Sequence, residues 1–213
     1  MTRKTTLLSA LLAVSVLASP IAAFAQDDGL YDAPVDPNSA FVRVLAPAAS
    51  IAVVNGTSLD QLTDGLSPYV NVQPGDIAVS AGEADGTVKA APGGYYTYAF
   101  DADGKPTLLT DQAANDPSKA IVYFYNFSDK PTVDLFVPSA KVNAIEAIPT
   151  NGTKSVALKA PLKLDVEVMA DGASIAKVAG LDLKRRGGVS VIFWGTEGAY
   201  SAAAVQNAFY RAD

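Results

Sequence analysis

The grouping of apolar residues constrains this chain most. Val, Ile, Tyr and Phe concentrate in eight short runs, 41–45, 51–54, 69–72, 95–100, 121–125, 133–136, 162–168 and 189–194. Runs of this length and make-up fit strands; a helix needs a longer stretch to turn an apolar stripe toward a core. Turn residues separate them, among them Asn55-Gly56, Pro74-Gly75-Asp76, Asp85-Gly86, Gly93-Gly94, Asn151-Gly152, Asp171-Gly172 and Gly187-Gly188. The run 162–168 alternates apolar with charged residues, the pattern of a strand with one wet face. The chain is therefore expected to be all-β. The only helix candidates are the short stretches 60–64 and 202–208.

The order of features also repeats. Ser39-Ala40-Phe41-Val42-Arg43-Val44 opens one copy, and Ser118-Lys119-Ala120-Ile121-Val122-Tyr123-Phe124 opens another. The stretch 68–75 pairs with 161–166. Thr87-Val88-Lys89 followed by Gly93-Gly94-Tyr95-Tyr96 pairs with Leu181-Asp182-Leu183-Lys184 followed by Gly187-Gly188-Val189-Ser190. The reading is two tandem small β-sandwich-like domains, 39–110 and 118–213, joined by a polar linker at 111–117. One larger β domain with chance similarity is the alternative.

The first 25 residues read as a signal peptide: Arg3 and Lys4, an apolar run at 7–18, a break at Ser19-Pro20, and small residues in Ala23-Phe24-Ala25. An N-terminal segment, 26–38, would then precede the first domain. Cleavage would remove Arg3 and Lys4 and no acid, taking the formal net charge from −6 to −8. An exported, acidic chain is a poor match for nucleic acid, which requires a positive surface. The chain has no Cys and no His. Disulfides, thiol nucleophiles, His general bases and Cys- or His-ligated metals are all excluded.

Few residues are left to carry chemistry. One Ser-x-x-Lys occurs, Ser174 to Lys177, but in a β-rich context, whereas the motif needs a helix to bring Lys onto the face of Ser. Asp101 and Asp103 precede Gly104 in what reads as a turn, not a calcium loop. No catalytic residue, metal site or cofactor is expected. Binding residues are easier to nominate. Asp27, Asp28, Gly29, Leu30 and Tyr31 could dock as an extended segment. Tyr96 and Tyr98 share one face of a strand, and with Trp194 they are candidate exposed anchors for a protein partner. Lys184, Arg185 and Arg186 form the one basic run of the exported chain and could hold a carboxylate-bearing polymer.

The opening motif Asp27-Asp28-Gly29-Leu30-Tyr31 with Ser39-Ala40-Phe41-Val42-Arg43-Val44-Leu45 resembles the AlgF family of alginate O-acetylation proteins. So do Gly93-Gly94-Tyr95-Tyr96-Thr97, Lys119-Ala120-Ile121-Val122 and the turn Asn126-Phe127-Ser128-Asp129-Lys130-Pro131. The resemblance implies a periplasmic, non-catalytic adaptor or relay in adding acetyl groups to an exported uronic-acid polymer. Its implied partners are periplasmic SGNH-like acetyltransferases, with the inner-membrane O-acyltransferase and alginate itself as further candidates. Two alternatives differ in class. One is a carbohydrate-binding module that contacts the polymer directly. The other is an acyl-carrying acetyltransferase subunit, for which Ser174 would be the residue to check.

Overall fold

The computed structural model describes residues 36–101, 104–113 and 115–210; the segment 27–31 lies outside them. Among the described residues there is no helix, so none is long and apolar enough to cross a membrane. Sixteen strands run in order: β1 (Ala40–Leu45), β2 (Ala52–Val54), β3 (Thr57–Leu59), β4 (Val70–Val72), β5 (Gly75–Ala81), β6 (Ala84–Ala90), β7 (Tyr95–Phe100), β8 (Pro106–Asp111), β9 (Lys119–Ser128), β10 (Thr132–Val137), β11 (Val142–Pro149), β12 (Gly152–Lys159), β13 (Leu162–Ala170), β14 (Ala173–Leu183), β15 (Gly188–Gly195) and β16 (Ser201–Gln206). The Ala-rich stretch expected as a possible helix is mostly strand β16, paired with β15 so that Ala204 lies opposite Val191.

The duplication is explicit in the sheets. The first half holds sheets β4-β1-β7-β8 and β3-β2-β5-β6; the second holds β12-β9-β15-β16 and β11-β10-β13-β14. Adding eight to each strand number of the first half reproduces the second. In both halves the first and seventh strands run parallel, β1 with β7 and β9 with β15, and the other named pairs are antiparallel. Register supplies residue-level equivalence. Phe41 donates its N–H to Gly94 O and Ile121 donates to Gly187 O, so Phe41 corresponds to Ile121. One sequence pairing needs correction: 161–166 belongs to the strand equivalent to β5, whereas 70–72 corresponds to β12.

Strand alternation sorts side chains into three cores. Ala40, Val42 and Val44 of β1 meet Ile77, Val79 and Val88 inside the first sandwich. Val122, Phe124, Val166, Val168 and Val191 do the same in the second. The opposite faces of β1 and β9 supply a third core, in which Leu45, Ala99 and Leu109 pack on Ile121, Tyr123, Tyr125, Ile192 and Val205. The four sheets thus lie in layers, with a seam between the halves packed like a sandwich interior. Each large apolar side chain buried there contributes roughly 1.5–3 kcal/mol.

Tyr96 and Tyr98 are not surface anchors. Both are buried in the first core, and glycines make room for their ring tips. A Cβ on Gly94 would fall 2.5 Å from the Tyr96 hydroxyl, and one on Gly86 2.2 Å from that of Tyr98. The pair does share one face, but it is the inward one.

Candidate functional site at the seam between the halves

A charged residue lies at the centre of the seam. Arg43, on β1, is 1% exposed. Its Nε donates to Thr97 Oγ1 (2.8 Å), one terminal nitrogen to Asn207 Oδ1 (2.9 Å), and the other to the Tyr125 hydroxyl (2.6 Å) and Ser190 Oγ (2.9 Å). Asp111, at the end of β8, lies 3.7 Å away. It accepts from the hydroxyls of Tyr69 (2.6 Å), Tyr125 (2.6 Å) and Thr97 (2.5 Å). The guanidinium carbon sits 4.2 Å above the centre of the Tyr69 ring. Burial works against the charge on Arg43, but Tyr125, Tyr69 and Asp111 outweigh it and the net shift is upward. Burial likewise pushes the hydroxyls of Tyr69 and Tyr125 up, so both stay protonated donors.

This network follows the internal repeat. With Phe41 equivalent to Ile121, Arg43 corresponds to Tyr123. Thr97, opposite Arg43, corresponds to Ser190, opposite Tyr123. Asp111 pairs with Tyr95, and Asn207 bonds to Gly188 at the matching position, so these two correspond as well. Equivalent side chains from the two halves therefore converge on one guanidinium. The sequence puts Asp111 at the start of the linker; it is the last residue of β8, paired with Tyr95 of β7, and its carboxylate accepts from both halves.

An apolar cleft of about 490 Å³ opens where the seam reaches the surface. The first half contributes Leu45, Pro47, Ala48 and Phe100; the second contributes Phe127, Trp194 and Thr196. Two carboxylates, Asp101 and Asp129, belong to its lining. The 126–131 turn builds one wall. Asn126 Oδ1 accepts from Ser128 N–H (3.1 Å) and its hydroxyl (2.7 Å), while Asn126 Nδ2 donates to Lys130 O and Ile148 O (both 3.2 Å). That satisfied turn sets Phe127 and Asp129 on the cleft. Gly195 is required beside them: its φ is 113° and a Cβ would lie 2.3 Å from Ala199 O. Asp129 accepts from the Tyr200 hydroxyl (2.6 Å) and Glu197 N–H (3.1 Å). The Tyr200 hydrogen bond is the main cause that holds the Asp129 carboxyl below the usual range.

Of the sequence candidates, Trp194 is half-buried in this cleft. Lys184, Arg185 and Arg186 are exposed at the β14–β15 turn, remote from it in the strand order. Ser174 and Lys177 both lie on strand β14, and Lys177 Nζ is 2.7 Å from Glu167. Among the described residues no group of three or more Asp and Glu could hold a metal ion. A larger cleft, about 690 Å³, also joins the halves; Ser58, Asp60, Gln61, Thr63, Gln206 and Tyr210 contribute to a more polar lining. Sequence reasoning missed Arg43 and Asp111. The signal present was a cation in the otherwise apolar run 41–45.

Comparison with known proteins gives a consistent result. The family model described as "Alginate O-acetyl transferase AlgF" matches residues 12–191. The "Alginate biosynthesis protein AlgF" of Pseudomonas syringae pv. tomato is 28% identical over 177 residues, covering 82% of this chain and 79% of that protein. The protein of the same name from Pseudomonas aeruginosa is 32% identical over 131 residues, 60% of this chain and 61% of its own length. A solved structure of the C-terminal domain of AlgF from P. aeruginosa superposes with a TM-score of 0.38 at 17% identity, covering 42% of this chain and 99% of that one.

Proposed function

The chain belongs to the AlgF family of alginate biosynthesis proteins, and from that premise we propose that it is a non-catalytic adaptor of alginate O-acetylation. It acts in the periplasm by binding the acetyltransferases that modify the polymer. The observation that carries this reading is the cleft at the seam. Phe127 and Trp194 come from one half and Leu45 and Phe100 from the other, so the site is complete only when the halves are docked. Apolar clefts with aromatic walls suit the anchor side chain of a partner, where a few residues supply most of the binding energy. Asp101 and Asp129 favour a basic residue beside that anchor.

The chemistry of the chain supports binding over transfer. It has no imidazole and no thiol, and the amine of Lys177 is paired with Glu167. A serine nucleophile would need a base that these residues do not supply.

Capture of the purified periplasmic acetyltransferases on the immobilised full chain tests the reading. Trp194→Ala should weaken capture by about 30-fold, the size of a hot-spot loss. Thr196→Trp, at an exposed position, should block the cleft without touching a core. Unchanged capture by both variants would remove the cleft from the account. An acetyl adduct on the intact chain after incubation with a donor would replace the adaptor with an acyl carrier.

A further inference from the structure

The far end of the second sandwich carries a different surface. Lys119, Lys159, Lys163, Lys184, Arg185 and Arg186 gather there, in a chain whose formal net charge is −6. Backbone contacts place them together. Lys119 and Lys159 are direct cross-strand partners. Arg186 N–H donates to Lys119 O (3.0 Å), and Arg185 Nε donates to Ala160 O (3.0 Å). Lys163 pairs across the sheet with Asp182. The acids at this end are Asp116, 3.2 Å from Lys119, Asp182, 3.8 Å from Lys184, and Asp165, on the same strand face as Lys163, so the cations outnumber them two to one.

Folding alone does not account for this cluster. Like charges directly opposite on adjacent strands are destabilising, yet Lys119 faces Lys159. Arg186 occupies a left-handed backbone conformation, φ 59°, that costs a residue with a side chain. Amid the cations stands Leu162, 44% exposed.

Orientation indicates the shape of the ligand. Leu164 and Val166 point into the second core, so Lys163 points away from the outer sheet. Ala120 and Val122 also point inward, so Lys119 and Lys159 leave from the opposite sheet, at the end of its seam face, where Lys119 lies beside linker residues Asn115 and Asp116. Arg185 and Arg186 lie at the tip. Cations on both flanks of a blunt end, around an exposed leucine, match a broad anionic surface with an apolar layer beneath it. A single polymer strand would call for cations aligned along one face.

We propose that this end docks on an anionic phospholipid bilayer, with the Lys and Arg side chains at the phosphates and Leu162 inserted among the acyl chains. The acidic first half, eight acids and three bases over 39–111, is repelled by the same surface and turned away from it. This site is separate from the seam cleft and independent of the adaptor reading.

Flotation of the full chain with vesicles tests it, comparing phosphatidylglycerol-containing vesicles with phosphatidylcholine vesicles. The N-terminal run, with Arg3 and Lys4 beside it, is the same in wild type and variants, so its own preference for anionic vesicles cancels when they are compared. The wild-type chain should prefer anionic vesicles, and added salt should weaken the preference. The triple variant Lys184→Gln/Arg185→Gln/Arg186→Gln should lose at least about tenfold of it, since each basic side chain near such a surface contributes roughly fivefold. Leu162→Ser should lose a smaller part. Lys89→Gln/Lys105→Gln, in the first half, should lose none. Equal binding to both vesicle types, or a triple variant that floats like the wild type, overturns the proposal. Binding of oligouronate at this end without any vesicle preference overturns it in favour of the polymer. Partner capture through the Trp194 cleft should survive the triple variant, so failure here and failure of the adaptor reading are distinguishable.

Discussion

The two halves share strand order, parallel pairing and register, yet they use the same positions differently. Where the first half has Arg43 and Asp111 facing the seam, the second has Tyr123 and Asn207. The first half therefore provides both charges, and the second provides neutral acceptors and donors. Leu45 of the first half likewise corresponds to Tyr125 of the second, which donates to Asp111 and accepts from Arg43. A duplicated domain packed on its copy begins with like facing like. Divergence at three positions has turned that surface into a polar network that fits only one arrangement of the halves. The outer surfaces have diverged too: residues 39–111 carry eight acids and three bases, and 118–213 nine acids and eleven bases.

The strongest way to break this comparison is to discharge one half. Arg43→Met should destabilise the chain by about 3–5 kcal/mol in chemical denaturation, because it removes the cation beside the buried Asp111 carboxylate. Adding Asp111→Asn should recover part of that loss; a double variant as unstable as the sum of its singles would deny that the two residues act as a pair. Next comes Tyr125→Phe, which removes a hydroxyl bonded to both charges and should cost about 1.5–3 kcal/mol by the same measurement. Phe209→Ala should cost about 1 kcal/mol. Its ring packs 5.5 Å from Phe41 and 5.7 Å from Tyr69, so the chain after β16 crosses onto the first half.

The smallest effect concerns pH and the 126–131 turn. The Asp129 carboxyl is held below its usual range, chiefly by the Tyr200 hydroxyl, and Tyr200 is pushed up to about 12 by the same bond. The contribution of this tie is complete above the ordinary carboxylate range. It fades as pH falls through the lowered pKa of Asp129, and again as pH rises through the raised pKa of Tyr200. Thermal melts of the wild type and Tyr200→Phe should differ slightly near neutral pH and converge at both extremes.

Much of the architecture was legible in the sequence. The eight apolar runs correspond to strands with at least one face in a core, and the glycine-tyrosine entry of β7 marks the repeat. The strands overlooked, such as β6, β11, β12 and β14, mix small, polar and charged residues and bury few positions, none fully in β12, so their apolar density is low. The seam was hidden for a different reason. An arginine between Val42 and Val44 obeys the alternation of a strand with a wet face; nothing local reveals that another sheet covers that face. Tyr96 and Tyr98 were misplaced by the converse ambiguity, since alternation identifies a shared face but not which way it points. Trp194 stands out in the sequence as an aromatic strand end, while the residues that line the cleft with it come from three other segments.

The central claim is that the halves form one body through the seam. Trp194 is the only tryptophan and stands at the seam's edge, so its fluorescence reports docking while far-ultraviolet circular dichroism reports the strands. Urea titration of the full chain followed by both signals tests the claim most directly. The account predicts a single coincident transition, shifted to lower urea in Arg43→Met. A fluorescence change that is complete before the strands begin to melt, and that Arg43→Met leaves in place, would contradict it.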